Sequence, residues 1–423
     1  MSSSPHVHRR ARITTLFGVL ALSLGACSAE QSQDPTSQEK SAPPSVSIDP
    51  DPVRGESAAQ DADLDDVHLP VHLTDLVSVD PQWDTPPQVH DGVFLAPGEQ
   101  DGRLVFSAVA ADGTVLWTAE RPLSCSGFAM TSAGDRPLAV LTDLTDPGES
   151  AKSLGTTTAT AYDLHTGEEV WGPVDVPGPH QGPGLVFAER GDEPLGGTGT
   201  RVALDAETGE RVGGEADVIG EFYGTVVVTD DGDLAASTNG SSGDQWRVPA
   251  GDAMAGLDPE ALISPATNRL PPGSALIGST EDGYGLWDLD EGEILEPDLD
   301  DAMFDLMTQT WIALRDETLI GLDLGGEELW SADLGDEPQL LSAGGVMTYV
   351  LTEGTDLDIY NTVTGNDARV YDPLEEGETA IPLAFTEGAA TVVDTGSKLL
   401  LVTDQPRAAA DYEDQNDPLG GQP

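Results

Sequence analysis

The chain has 423 residues, 38% of them hydrophobic, long enough for one large domain with a well-buried core. It carries 18 Lys+Arg against 76 Asp+Glu, a formal charge of −58. That acidic field excludes nucleic acid as a partner, because such binding rests on cationic contacts to phosphate.

The N-terminus reads as an address. Arg9, Arg10 and Arg12 precede the apolar run Ile13–Leu24, and Leu-Gly-Ala-Cys follows at Leu24–Cys27. A basic region, a short apolar region and small residues before a cut site make a secretory signal peptide over residues 1–26. The apolar run is too short for a bilayer, which needs roughly 20 residues. The Leu-Gly-Ala-Cys ending resembles the bacterial lipobox. That resemblance implies cleavage before Cys27, a diacylglycerol on its thiol, and two-chain anchoring strong enough to hold the protein on a membrane. Losing the leader removes three arginines and no acids, which leaves 15 basic against 76 acidic side chains.

From Cys27 to Asp66 the chain is rich in Ser, Pro, Gln, Asp and Ala. So little apolar surface cannot offset ordering entropy, and a flexible linker is expected over 27–66. Within it Asp61–Asp66 has the carboxylates of a calcium loop but lacks the Gly at the sixth position. The stretch 405–423 has the same character and is expected to be a disordered tail.

Between these ends one phrase recurs. Its clearest copy is Ala161–Trp171: a strand, a Thr-Gly turn and a second strand opening on Trp. The anchor glycines are Gly113, Gly167, Gly209, Gly243, Gly292, Gly326 and Gly365, at a mean spacing of 42 residues. That is the period of a four-stranded propeller blade. Asp163, Asp205, Asp288 and Asn361 lie four residues before their Gly and are expected to accept from turn N–H groups. Trp117, Trp171 and Trp330 follow their Gly by four residues and Trp246 by three. These rings are expected to wedge between neighbouring blades. Gly213, Glu296 and Arg369 stand where other copies have Trp, which predicts thinner or irregular blades there. The insertion Gly251–Pro272 reads as a longer loop or short helix between blades.

Upstream of each anchor lies an inner hairpin, and a last one at 388–404 has no outer strand after it. Eight inner hairpins against seven outer turns imply that the missing strand comes from His68–Val79. The reading is all-β: a propeller of four-stranded antiparallel blades over 67–404, eight-bladed with seven as the alternative. A composite blade from both chain ends closes the ring and removes exposed sheet edges.

This pattern resembles the PQQ-like β-propeller repeat, with Ala161–Trp171, 202–213 and 321–330 as its best copies. Quinoprotein dehydrogenases share the repeat, and the resemblance raises a quinone- or metal-dependent oxidoreductase as the alternative function. In that family a disulfide of adjacent cysteines stacks on the quinone. Here Cys27 belongs to the lipid anchor and Cys125 stands alone, so no cofactor is expected and no catalytic, cofactor-binding or metal residue is assigned. Cys125 is expected to be a small buried core residue. His68 and His72 lie four apart, with no third ligand evident. The acidic turns Asp230–Asp233 and Asp298–Asp301 suit solvated surface better than a cation site.

The expected function is therefore a non-enzymatic lipoprotein on the extracytoplasmic face of the cell membrane. Its propeller would serve as a scaffold for an envelope protein or glycan. The Lys-poor, Ala-, Gly-, Asp- and Thr-rich composition resembles that of exported actinobacterial proteins.

Overall fold

The computed structural model describes residues 51–144, 156–190, 198–212, 216–238, 241, 243–253, 261–265, 269–354 and 356–405. The signal peptide, Cys27, the linker as far as residue 50 and the tail from 406 lie outside the described residues.

Short antiparallel sheets follow one another in chain order, and each makes one blade of an eight-bladed β-propeller. The first blade runs through Gln88–His90, Val93–Gln100, Arg103–Ala110 and Thr114–Arg121. The second uses Phe128–Ala133, Arg136–Leu144, Thr157–Asp163 and Glu169–Asp175. Alternation along these strands sends one face to each neighbouring blade. Val140, Ala159, Ala161 and Trp171 thus pack with Leu185, Phe187 and Leu204 of the third blade.

The third and fifth blades are incomplete at their inner edge. The third keeps Val186–Arg190, Thr198–Leu204 and Arg211–Val212, and its innermost position is a single bridge from His180 to Phe187. In the fifth, a bridge from Ile263 to Gly278 precedes Ser274–Ser279, Gly283–Asp288 and Glu293–Leu299. Ile263, within the insertion, therefore belongs to the fifth blade, and one helical turn at Ala250–Ala253 follows the fourth. The fourth and sixth blades are complete, built from Asp217–Phe222 to Trp246–Pro249 and from Asp301–Asp305 to Glu328–Asp333. The seventh (Gln339–Gly344, Met347–Thr352, Asp356–Asn361) has only a bridge from Tyr360 to Asp367 at its outer edge. Its outer position is one of those without Trp, and the irregular outer edge agrees with that.

The eighth blade joins the two ends of the described chain. Ile381–Phe385, Thr391–Asp394 and Leu399–Thr403 are completed by Val77–Asp80, with Leu401 opposite Val79. Only the end of the segment expected to supply this strand is extended. Residues 71–75 form a turn, and Val67–His68 pairs in parallel with Glu378–Thr379 instead.

The linker expectation needs correcting over its last residues. Val53–Ala58 forms a fifth, outermost strand on the first blade, and Gln60–Asp61 does the same on the eighth. This strap crosses the seam where the ring closes. It is held by main-chain pairing, a force that composition does not report. Arg54 adds an ion pair to Glu168 of the second blade at 3.2 Å.

The turn chemistry follows the repeat. Asp163 Oδ1 accepts from Thr166 N and Oγ1 at 2.9 and 3.0 Å, and Asp205 and Asn361 repeat the same pair of bonds. The indoles dock across blade boundaries as expected. Trp117 Nε1 donates to Leu164 O, Trp171 to Ala206 O, Trp246 to Leu289 O and Trp330 to Thr362 O, at 2.6–2.9 Å. Each ring lies flat against the anchor glycine of the next blade: Gly167, Gly209, Gly292 or Gly365. Positive φ and the missing Cβ both matter at these turns, since a side chain at Gly167 would meet Trp117 at 2.9 Å. Where Trp is lacking, smaller groups fill the place. Leu295 packs on Gly326, and Val79 packs on Gly113 at the closing seam.

Candidate functional site

The inner edges of the blades surround a central channel with a cavity of about 1430 Å³. Its wall is largely apolar, drawn from Val89, Phe128, Met303, Phe304, Leu341 and Leu383. The end carrying the inner hairpin turns is ringed by exposed acids: Asp91, Asp135, Glu387 and Asp404, against Arg269.

The two halves of the channel differ. On the side of the third blade the missing inner strand lets the second and fourth blades approach one another. Glu221, fully buried on the inner strand of the fourth blade, fills that gap. Its Oε1 accepts from Thr131 Oγ1 of the second blade at 2.5 Å and from Gly224 N of its own turn. Its Oε2 accepts from Leu185 N of the third blade at 2.9 Å. A side chain at Gly184 would collide with this carboxylate, and Gly184 also holds φ +61°. One carboxylate thus ties three blades together.

Burial pushes the Glu221 carboxyl up to about 7. The three donors oppose the shift, and the charge of Asp205 adds to it. The same burial, with the charge of Glu221 beside it, raises the phenol of Tyr223. The Tyr223 ring reaches across the channel to the His90 ring of the first blade, with centroids 4.6 Å apart. His90 Nε2 lies 2.8 Å from Ser132 Oγ. Burial lowers the His90 pKa, and neighbouring Asp91 pulls it the other way. His180 donates from Nε2 to Gly184 O at 2.7 Å and is likewise shifted down by burial. Neutral imidazoles and a neutral phenol here make polar walls of low charge. The acids stay at the mouth.

A second buried carboxylate plays the equivalent part between the sixth and seventh blades. Asp305 Oδ1 accepts from Met307 N, and Oδ2 from Val346 N at 3.0 Å and Thr362 Oγ1 at 2.8 Å. Arg121, 1% exposed, joins the first two blades by donating to Tyr162 OH at 3.0 Å.

The residues singled out in the sequence fall elsewhere. Cys27 lies outside the described residues. Cys125 is fully buried, far from thiol chemistry in solution. A thiol reagent such as Ellman's is expected to modify Cys125 only on unfolding, and rapid reaction of the native chain would contradict that burial. His68 Nε2 stands 3.8 Å from Glu375 with its ring edge on Tyr371, while His72 lies in the following turn. They do not share a strand face, because Pro70 starts a turn between them. The acids of the turn at 230–233 face Arg247, which pairs with Asp230 at 3.1 Å and Asp233 at 3.6 Å. Among the described residues no group of three His, Cys, Asp or Glu is placed to hold a metal ion, and no helix is long and apolar enough to cross a membrane.

Sequence reasoning missed Glu221, His90, Tyr223 and Asp305. The one available signal at Glu221 was an acid inside the apolar run Val218–Tyr223.

The fold defines a β-propeller repeat protein. No family model and no curated protein matches the chain. Among solved structures it is similar to BamB from Moraxella catarrhalis, at 14% identity over 77% of this chain and 97% of that one, TM-score 0.42. It is also similar to the β-propeller domain of Cps50 (Swd1) from Myceliophteria thermophila, at 8% identity over 77% and 98%, TM-score 0.39.

Proposed function

We propose that this protein is a lipoprotein held by Cys27 on the extracytoplasmic face of the cell membrane. On this reading its PQQ-like propeller is a non-catalytic scaffold that binds an envelope protein or glycan. The observation that carries the binding role is the channel: a large apolar cavity open between acidic turns, on a surface otherwise dense in carboxylates. A cavity of that size, lined by half-buried apolar side chains and rimmed by polar groups, suits a contact site. The buried carboxylates of the inner strands are spent on joining blades: Glu221 and Asp305 each bond to neighbouring blades.

Anchoring is tested by replacing Cys27 with alanine. The variant is expected to leave the membrane fraction for the soluble one, and a chain that stays membrane-bound without the thiol would overturn the lipid anchor. The scaffold role is tested by crosslinking in intact cells followed by mass spectrometry, with an absorbance spectrum and metal analysis of the purified chain beside it. A recurrent crosslinked partner is the expected result. A retained quinone or stoichiometric metal would overturn the non-catalytic reading in favour of an oxidoreductase.

A further inference from the structure

The channel has a shape and a chemistry that narrow the class of partner. Its volume, about 1430 Å³, exceeds the roughly 300–1,000 Å³ typical of small-molecule sites. Every blade with a regular inner strand pairs that strand on one side only among the described residues. On the second blade Gln88 already donates from Nε2 to Phe128 O and accepts from Met130 N, and on the fourth Glu221 N donates to Pro183 O. Apart from Pro382 O, which accepts from Ser342 Oγ, main-chain groups of the inner edges at 301–305, 339–344 and 381–385 border the axis, where an extended peptide backbone can use them. Between the edges stand rings and aliphatic chains, among them Phe128, Phe304, Leu306 and Leu383. These suit the alternate side chains of an extended segment.

Charge then selects among peptides. The hairpin-turn end presents Asp91, Asp135, Glu387 and Asp404 against Arg269. Asp91 is engaged by His165 at 2.9 Å, whereas Glu387 and Asp404 are exposed at the lip. An anionic ligand would be repelled at this lip, both by these groups and by the field of a chain of net charge −58.

We propose that the channel receives an extended polypeptide segment in which an apolar stretch is followed by Lys or Arg. The apolar residues fill the channel wall and the cations meet the acidic lip. This rests on the scaffold reading above and names its site and partner chemistry.

The test uses the full chain in detergent and a fluorescent peptide of about ten residues, which spans about 35 Å when extended. Three probes are compared at about 0.15 M salt, where charges more than about 8 Å apart are largely screened: a Leu half followed by a Lys half, Leu followed by Glu, and Ser followed by Lys. The Leu/Lys peptide is expected to bind at least tenfold more tightly than either of the others. Two variants place a cation at the lip without removing a side chain from the hydrophobic clusters: Asp404→Arg and Ala389→Arg. Each is expected to weaken Leu/Lys binding at least tenfold while leaving circular dichroism and melting unchanged; the second serves if the first misfolds.

Equal binding of Ser/Lys overturns the proposal, since attraction to the acidic surface would then suffice. So does equal binding of Leu/Glu, and so does an unchanged affinity in folded variants. A cellular crosslink to a partner that persists in Ala389→Arg would place binding outside the channel; the scaffold reading would survive and this inference would not.

Discussion

Replacing Glu221 by alanine is expected to lower the stability of the propeller by about 3 kcal/mol. The change leaves Thr131 Oγ1, Leu185 N and Gly224 N without their acceptor in a site closed to water, and each such loss costs about 1–3 kcal/mol. The effect is large because no strand substitutes for the carboxylate. The third blade has only the bridge at His180 on its inner edge, so Glu221 is what holds the second and fourth blades together there. The same group gives a pH signature. Its carboxyl is raised from 4.5 to about 7, so between these values the native state holds a proton that the unfolded chain has released. Stability from this group is therefore full below about pH 4.5 and declines as pH rises through 7, by about 3 kcal/mol in total. Denaturant titrations of the full chain at pH 5, 6, 7 and 8 check this. The expected difference lies in the slope: Glu221→Gln loses the decline, whatever its absolute stability. A variant with the parental slope would show that Glu221 titrates normally.

Trp117→Ala is expected to cost about 3–5 kcal/mol, the range for removing a large buried aromatic side chain. The indole is 0% exposed, donates to Leu164 O at 2.8 Å and covers Gly167 of the next blade. Trp330 makes the same bond to Thr362 O but is only partly buried, so Trp330→Ala should cost less. Chemical denaturation of the two variants side by side measures the difference. Equal losses would mean that the hydrogen bond, not the buried ring, dominates docking.

Much of the ring was legible because a blade boundary is a local device. An Asp or Asn, a Gly at positive φ and a Trp within eight residues specify a turn and the surface that docks on it. Counting Asp163, Asp205, Asp288 and Asn361 with their glycines was enough to set the period. Comparing inner hairpins with outer turns pointed to His68–Val79 for the eighth blade, and its last residues from Val77 lie in that strand. The channel was not legible in the same way. His90 and Tyr223 lie three blades apart in the chain, and their contact accompanies the strand missing from the third. Nothing periodic marks an absent strand. Glu221 reads in the sequence as one more acid among 76 acidic residues. The strap at Val53–Asp61 was hidden for another reason: its sequence is polar, and main-chain pairing does most to hold it in place.

That strap has a mechanical consequence. A pull on the chain upstream of Val53 reaches the outermost strand first, and loads its ladder with Thr114–Thr118 along the strand. The hydrogen bond from Ala59 N to Gly113 O comes next, followed by the short pairing of Gln60–Asp61 with Val79–Asp80. Only after these have yielded does tension arrive at Val77–Asp80, the strand on which closure of the ring depends. The strap Val53–Asp61 acts as a fuse. It can peel and re-form under force while the eight blades behind it stay shut.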